Sequence, residues 1–137
     1  MSSLSDLTLT DPNVPTPSFV IEEARLEKNL RRALEQARRL GVKLRPHLKT
    51  HKSIGIALRQ MESPRGPACV STLLEAKYFF SHGVTDLLYA VGIAPNKLER
   101  VAELRRRGID LSVVLDNEES ARLLVDFARQ RDCRLAV

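Results

Sequence analysis

At 137 residues, 43% of them apolar and 4% aromatic, the chain has room for one modest domain with its own core. Its net charge of +5 is carried by basic residues interspersed with acidic ones, with no aromatics among them to stack on bases, which excludes a nucleic-acid partner. No apolar run approaches the roughly 20 residues of a membrane span, and Met1 to Asn13 lacks the basic and apolar regions of a signal peptide, so a membrane partner is excluded and a cytoplasmic protein expected.

Residues 1–14 read as a loose tail, closed by Pro12, Pro15 and Pro17, and residues 15–137 as the folded part. Ser18 to Ile21 is a short extended segment. Glu22 to Leu40 follows as a helix, because Leu26, Leu30, Ala33, Leu34, Ala37 and Leu40 recur at three and four and Gly41 provides a stop. A first strand is predicted from Val42 to Lys49. Pro46 inside it cannot donate to a ladder and belongs at a bulge or an unpaired position.

Ile54, Ala57, Leu58 and Met61 predict a helix, ended by the Ser63–Pro67 loop. Ala68 to Ser71 forms a second strand, Leu74 to His82 a helix stopped by Gly83, and Asp86 to Val91 a third strand. Pro95 suits the first turn of a helix running to Arg107, where Arg105 to Arg107 sit at its negative end before Gly108. Leu111 to Leu115 is a fourth strand, Asp116 or Asn117 caps the next helix, and Arg134 to Val137 opens a fifth strand. Cys69 and Cys133 show no metal or disulfide spacing and are expected as buried strand thiols. Strand–helix repeats of about 18 to 25 residues argue for a parallel sheet with helices outside, in a barrel rather than an open sheet. No glycine-rich fingerprint follows any strand, which disfavours dinucleotide binding.

The chemistry concentrates in Arg45-Pro46-His47-Leu48-Lys49-Thr50-His51-Lys52. Period-two alternation turns Leu44, Pro46, Leu48 and Thr50 one way and Lys43, Arg45, His47, Lys49 and His51 the other. Desolvation and the neighbouring charge of Arg45 and His47 would free the amine of Lys49 to form a Schiff base with a carbonyl. The alternative on the pattern alone is a solvated strand end whose basic residues face water. His47 and His51, four apart on an extended segment, are not a helical metal pair. Glu75 reads as a first-turn helix acid favoured by the dipole, and His82 as a helix-end residue.

That octapeptide resembles the pyridoxal-phosphate lysine motif of the D-serine dehydratase and D-threonine aldolase group, within the alanine-racemase-like (fold type III) enzymes. Thr16–Ile21 resembles the opening segment of that group, Ala68–Ala76 its second strand and following turn, and Asp86–Ala90 its third strand. The resemblance runs from about Pro15 onward. It implies that Lys49, not Lys52, holds pyridoxal 5'-phosphate, with His47, Arg45 and Thr72 as further cofactor contacts. It also implies the N-terminal half of a (β/α)8 barrel, reaching the fifth strand, with later strands and a C-terminal β-domain beyond residue 137. The phosphate site, and a divalent metal held by His and Cys, would lie there too.

The implied activity is that of a lyase acting on small β-hydroxy-D-amino acids. Loss of Cα–H and hydroxide gives a dehydratase, and Cα–Cβ cleavage gives an aldolase. True alanine racemases fit less well, because their lysine is followed four positions on by an aromatic residue where this chain has Ser53. The 137 residues alone are expected to be inactive. The rival readings are a non-catalytic cofactor carrier of the same superfamily and an inert half-barrel. A homodimer is the expected assembly by analogy with relatives that pair two subunits across the active site.

Overall fold

The computed structural model describes Asp11, Pro12 and residues 14–137, so most of the predicted tail lies outside the described residues. In chain order the elements are α1 (Glu23–Arg39), α2 (Ile54–Gln60), β1 (Ala68–Val70), α3 (Leu73–Ser81), β2 (Asp86–Gly92), a 3-10 turn (Pro95–Lys97) leading into α4 (Leu98–Arg106), β3 (Asp110–Val114) and α5 (Glu118–Gln130). Each predicted helix is present, with ends displaced by a few residues at most. The predicted Pro95 helix begins as a 3-10 turn and becomes α-helical only at Leu98.

Helix ends follow one local rule. At the close of α3, Gly83 takes φ +91, Val84 N–H donates to Phe79 O at 3.1 Å and Gly83 N–H to Phe80 O at 2.9 Å. This double bond satisfies carbonyls that the helix leaves open and turns the chain toward β2. The same closure ends α1 at Gly41 and α4 at Gly108. In α5 the position falls to Asp132 at φ +44, with Cys133 N–H on Ala128 O at 3.0 Å. A β-carbon is disfavoured in that left-handed conformation. Asp132→Gly is therefore expected to stabilise the fold by up to about 1 kcal/mol, read as a raised melting temperature.

The strands form a parallel sheet in the order β1-β2-β3. Its register aligns Ala68 with Leu87 and Leu111, and Val70 with Tyr89 and Val113, and all six are buried. These rows lie beneath α3 and α4, where Ala76, Phe79, Leu98, Val101 and Leu104 complete the core. The opposite face carries the half-buried row Cys69, Leu88 and Ser112. Isolated parallel bridges extend that row at both ends, His47 to Cys69 and Ala136 to Ser112. Five chain segments thus neighbour one another in sequence order, with no reversal of the kind that marks a doubly wound open sheet. All strands point the same way. Their C-terminal ends, where the helices begin, share one rim, and the glycine turns lie on the other.

Three expectations need correction. The predicted strand Val42–Lys49 shrinks to the single bridge at His47, with residues 48–51 in a turn. Pro46 accepts from Cys69 N at 2.8 Å but has no N–H with which to carry the ladder toward Val42. The predicted fifth strand is likewise one bridge, at Ala136, whose carbonyl accepts from Val113 N at 3.0 Å. Neither cysteine is a buried strand thiol. Cys69 lies on the half-open face of β1 and Cys133 in the turn after α5, each only partly covered.

Candidate functional site

On the rim where the helices start, side chains take up the free N–H groups of the first turns. Ser53 caps α2, Thr72 caps α3 and Asn117 caps α5. Lys49 lies on this rim, in the turn that follows the His47 bridge. Leu48 anchors the turn from within: it is fully buried, and its N–H donates to Cys69 O at 2.9 Å. Lys52 N–H closes the turn on Leu48 O at 3.0 Å. Burying Leu48 leaves the next side chain, Lys49, exposed, and its amine has no hydrogen-bond or ion-pair partner among the described residues. The predicted alternation holds from Arg45 to Lys49, with Pro46 and Leu48 buried and the basic residues outward or half-covered.

His47 is the basic neighbour of Lys49. Its Nδ1 accepts the Lys49 backbone N–H at 3.3 Å, which assigns the proton of the neutral ring to Nε2, 3.3 Å from Ser71 Oγ. Partial burial holds its pKa below the ordinary 6.5, the Lys49 charge lowers it further, and the Glu75 charge partly opposes both. The unfolded chain then binds more protons than the folded one just below pH 6.5, so stability rises with pH through that window and falls on acidification. An imidazole NMR titration is expected to place His47 below 6.5, with Lys49→Met moving it up and Glu75→Gln moving it down. A midpoint at or above 6.5, or insensitivity to both changes, contradicts this geometry.

The other basic residues of the octapeptide are engaged elsewhere. His51 Nδ1 accepts from Ser53 N–H at 3.0 Å and its Nε2 meets Gln60 Oε1 at 2.9 Å, so His51 fixes the entry to α2 and does not converge with His47. Lys52, at φ +50, places Nζ 3.7 Å from Glu75 Oε1. Arg45 Nη1 is 2.7 Å from Asp86 Oδ1 at the start of β2, away from the rim that carries Lys49. These two charges, after burial, shape the raised pKa of the Cys69 thiol, Arg45 lowering it and Asp86 raising it.

The family model for the alanine racemase N-terminal domain matches residues 21–137. The chain belongs to that family. It is 40% identical over 128 residues to D-threo-3-hydroxyaspartate dehydratase of Delftia sp., covering 93% of this chain and 33% of that protein. It is 39% identical over 121 residues to D-serine dehydratase of Dictyostelium discoideum, covering 85% of this chain and 30% of that protein. The solved structure of the Delftia dehydratase superposes with a TM-score of 0.84 at 39% identity, over 90% of this chain and 32% of that one. An alanine racemase-like protein from Idiomarina loihiensis superposes at 0.79 with 46% identity, over 82% of this chain and 30% of that one. The chain therefore spans about a third of the length of these relatives. Its consecutive parallel strands are those of an alanine-racemase-like TIM barrel.

Alanine-racemase-like enzymes depend on pyridoxal phosphate, and the rim residues fit the aldehyde side of that cofactor. Lys49 offers an amine with no partner among the described residues, on a turn whose backbone is pinned. The burial and neighbouring positive charge expected to free that amine are not found: Lys49 is exposed, Arg45 is paired with Asp86, and the ring beside it is a neutral imidazole rather than a second cation. Thr72, read from the sequence as a cofactor contact, uses its Oγ1 to accept Glu75 N–H at 3.0 Å as the cap of α3. Glu75 Oε2 accepts at 2.8 Å from the N–H of Ser71, one residue before the cap, rather than from Thr72 itself. Threonine followed three residues later by glutamate before an apolar run is a capping-box pattern, and it was the available signal for this pair. The burial of Glu75 had no such signal, and its ion-pair partner Lys52 lies 23 residues earlier in the chain.

Proposed function

We propose that this chain supplies the cofactor lysine of a pyridoxal-phosphate-dependent lyase acting on β-hydroxy-D-amino acids. The observation that carries the proposal is the pinned turn with two lysines, of which Lys52 is paired with Glu75 and Lys49 has no partner among the described residues. Lys49 would hold the cofactor at its aldehyde carbon, and His47 would lie beside the ring. Arg45 and Thr72 remain candidate contacts, each already serving a structural bond to Asp86 or Glu75. When bound, the cofactor supplies an electron sink for negative charge at the substrate Cα. The protein's own part is to hold the Lys49 backbone at a fixed place on the rim with a neutral imidazole next to it.

The substrate class draws support from the names of similar proteins, which include D-serine dehydratase, D-threonine aldolase and D-threo-3-hydroxyaspartate dehydratase. Each name describes a D-amino acid with a hydroxyl on Cβ. A divalent metal, bound by residues beyond Val137, belongs to the same proposal, and one solved variant of a D-threo-3-hydroxyaspartate dehydratase is in a metal-free form. A cytoplasmic homodimer completes it. No helix among the described residues is long and apolar enough to cross a membrane.

The test is direct. Pyridoxal phosphate is added, the cofactor absorption band is recorded, borohydride is applied, and the labelled peptide is mapped. Label on Lys49 is expected, and label elsewhere or none overturns the proposal. Turnover of D-serine, D-threonine and D-threo-3-hydroxyaspartate by a chain of the relatives' length then separates dehydratase from aldolase, and both from a cofactor carrier.

A further inference from the structure

We infer that Glu75 is a positioning residue that selects between the two lysines of the turn, holding the Lys52 ammonium on one carboxylate oxygen and the Ser71 backbone on the other so that Lys49 alone is left to react. This rests on the reading of Lys49 given above. Lys49 and Lys52 are both exposed and lie three residues apart on one short turn, so an aldehyde arriving at the rim can meet either amine. Glu75 is the one buried charged side chain among the described residues. First-turn acids elsewhere, Glu99 in α4 and Glu118 and Glu119 in α5, are exposed, so capping does not by itself require burial.

A buried carboxylate is costly unless its oxygens are satisfied. Both oxygens of Glu75 are engaged, Oε1 at 3.7 Å from Lys52 Nζ and Oε2 at 2.8 Å from Ser71 N. Ser71 in turn meets His47 Nε2 through its hydroxyl, and His47 Nδ1 takes the N–H of Lys49. The contacts therefore close a loop from Lys49 through His47, Ser71, Glu75 and Lys52 back into the turn. Cutting it at Glu75 frees Lys52 without removing any contact of the Lys49 side chain.

The experiment measures how borohydride-trapped pyridoxal phosphate divides between Lys49 and Lys52. Glu75→Gln keeps an acceptor for Ser71 N–H while removing the charge. The share on Lys52 is expected to rise about two- to five-fold in this variant, the factor an ion pair of partial exposure commands, at a melting temperature close to that of the parent chain. A second measurement needs no variant: raising salt to about 1 M shrinks the screening length to about 3 Å and should shift label toward Lys52 in the parent chain but not in Glu75→Gln. A purely structural Glu75 would lower labelling of both lysines together and leave their ratio alone. Label on Lys49 with a ratio that neither the variant nor salt moves overturns the role of Glu75 while sparing Lys49. Absence of label from Lys49 in the parent chain overturns both.

Discussion

Lys49→Arg is expected to remove most of the covalent incorporation of pyridoxal phosphate, leaving only the minor share on Lys52, whereas Lys52→Arg should leave it nearly intact. The choice of arginine separates two explanations of a basic rim. If the exposed cations merely attract a phosphorylated aldehyde, arginine keeps the charge and binding survives. If the lysine bonds the aldehyde carbon, arginine fails, because the guanidinium stays protonated and has no free lone pair to offer. The structure gives the two lysines different surroundings, Lys52 beside Glu75 at 3.7 Å and Lys49 with no partner among the described residues. The measurements are the cofactor absorption band and the mass added after borohydride. Undiminished label in Lys49→Arg, or lost label in Lys52→Arg, would refute the assignment.

The largest expected effect on stability is at Phe79. This side chain is fully buried in the core between the sheet and α3, on the face of the helix that meets β1 and β2. Its carbonyl also closes the helix by accepting from Val84 N–H. Phe79→Ala is expected to cost about 3–5 kcal/mol, the sum of lost apolar transfer and the cavity left behind. Against a total stability of about 5–15 kcal/mol that is a large fraction, and the urea midpoint should fall accordingly. Tyr78, its edge-to-face neighbour at 5.0 Å, is 38% exposed. Tyr78→Ala is expected to cost well under half as much. Similar losses for the two would mean that the packing described for α3 is wrong.

Periodicity and punctuation made most of this fold legible. Leucines at three and four, glycine stops after Leu40, His82 and Arg107, and short apolar strands placed the helices and strands to within a few residues. What local pattern could not decide was the side of the sheet on which a residue would fall. Leu88 is as apolar as Leu87, yet only Leu87 lies in the layer under the helices. That depends on which face the crossover helices cover, a tertiary fact. The shortened first strand was half legible. Pro46 announced a broken ladder, but where pairing would resume was set by β1, more than twenty residues on. At the site, the alternation around Lys49 and its likeness to a known motif pointed to the amine. The pairings of Arg45 with Asp86 and Lys52 with Glu75 span 41 and 23 residues, and no spacing within the octapeptide encodes them.

The consecutive order of the parallel segments has a consequence for how this protein can change. Each strand hands over to its own separate connection at the rim that carries Lys49, after His47, Val70, Gly92 and Val114. Those connections can be lengthened, shortened or exchanged one at a time without relaying the register beneath them. Sequence change can therefore concentrate on that margin, while the glycine turns at the other end preserve the folded scaffold.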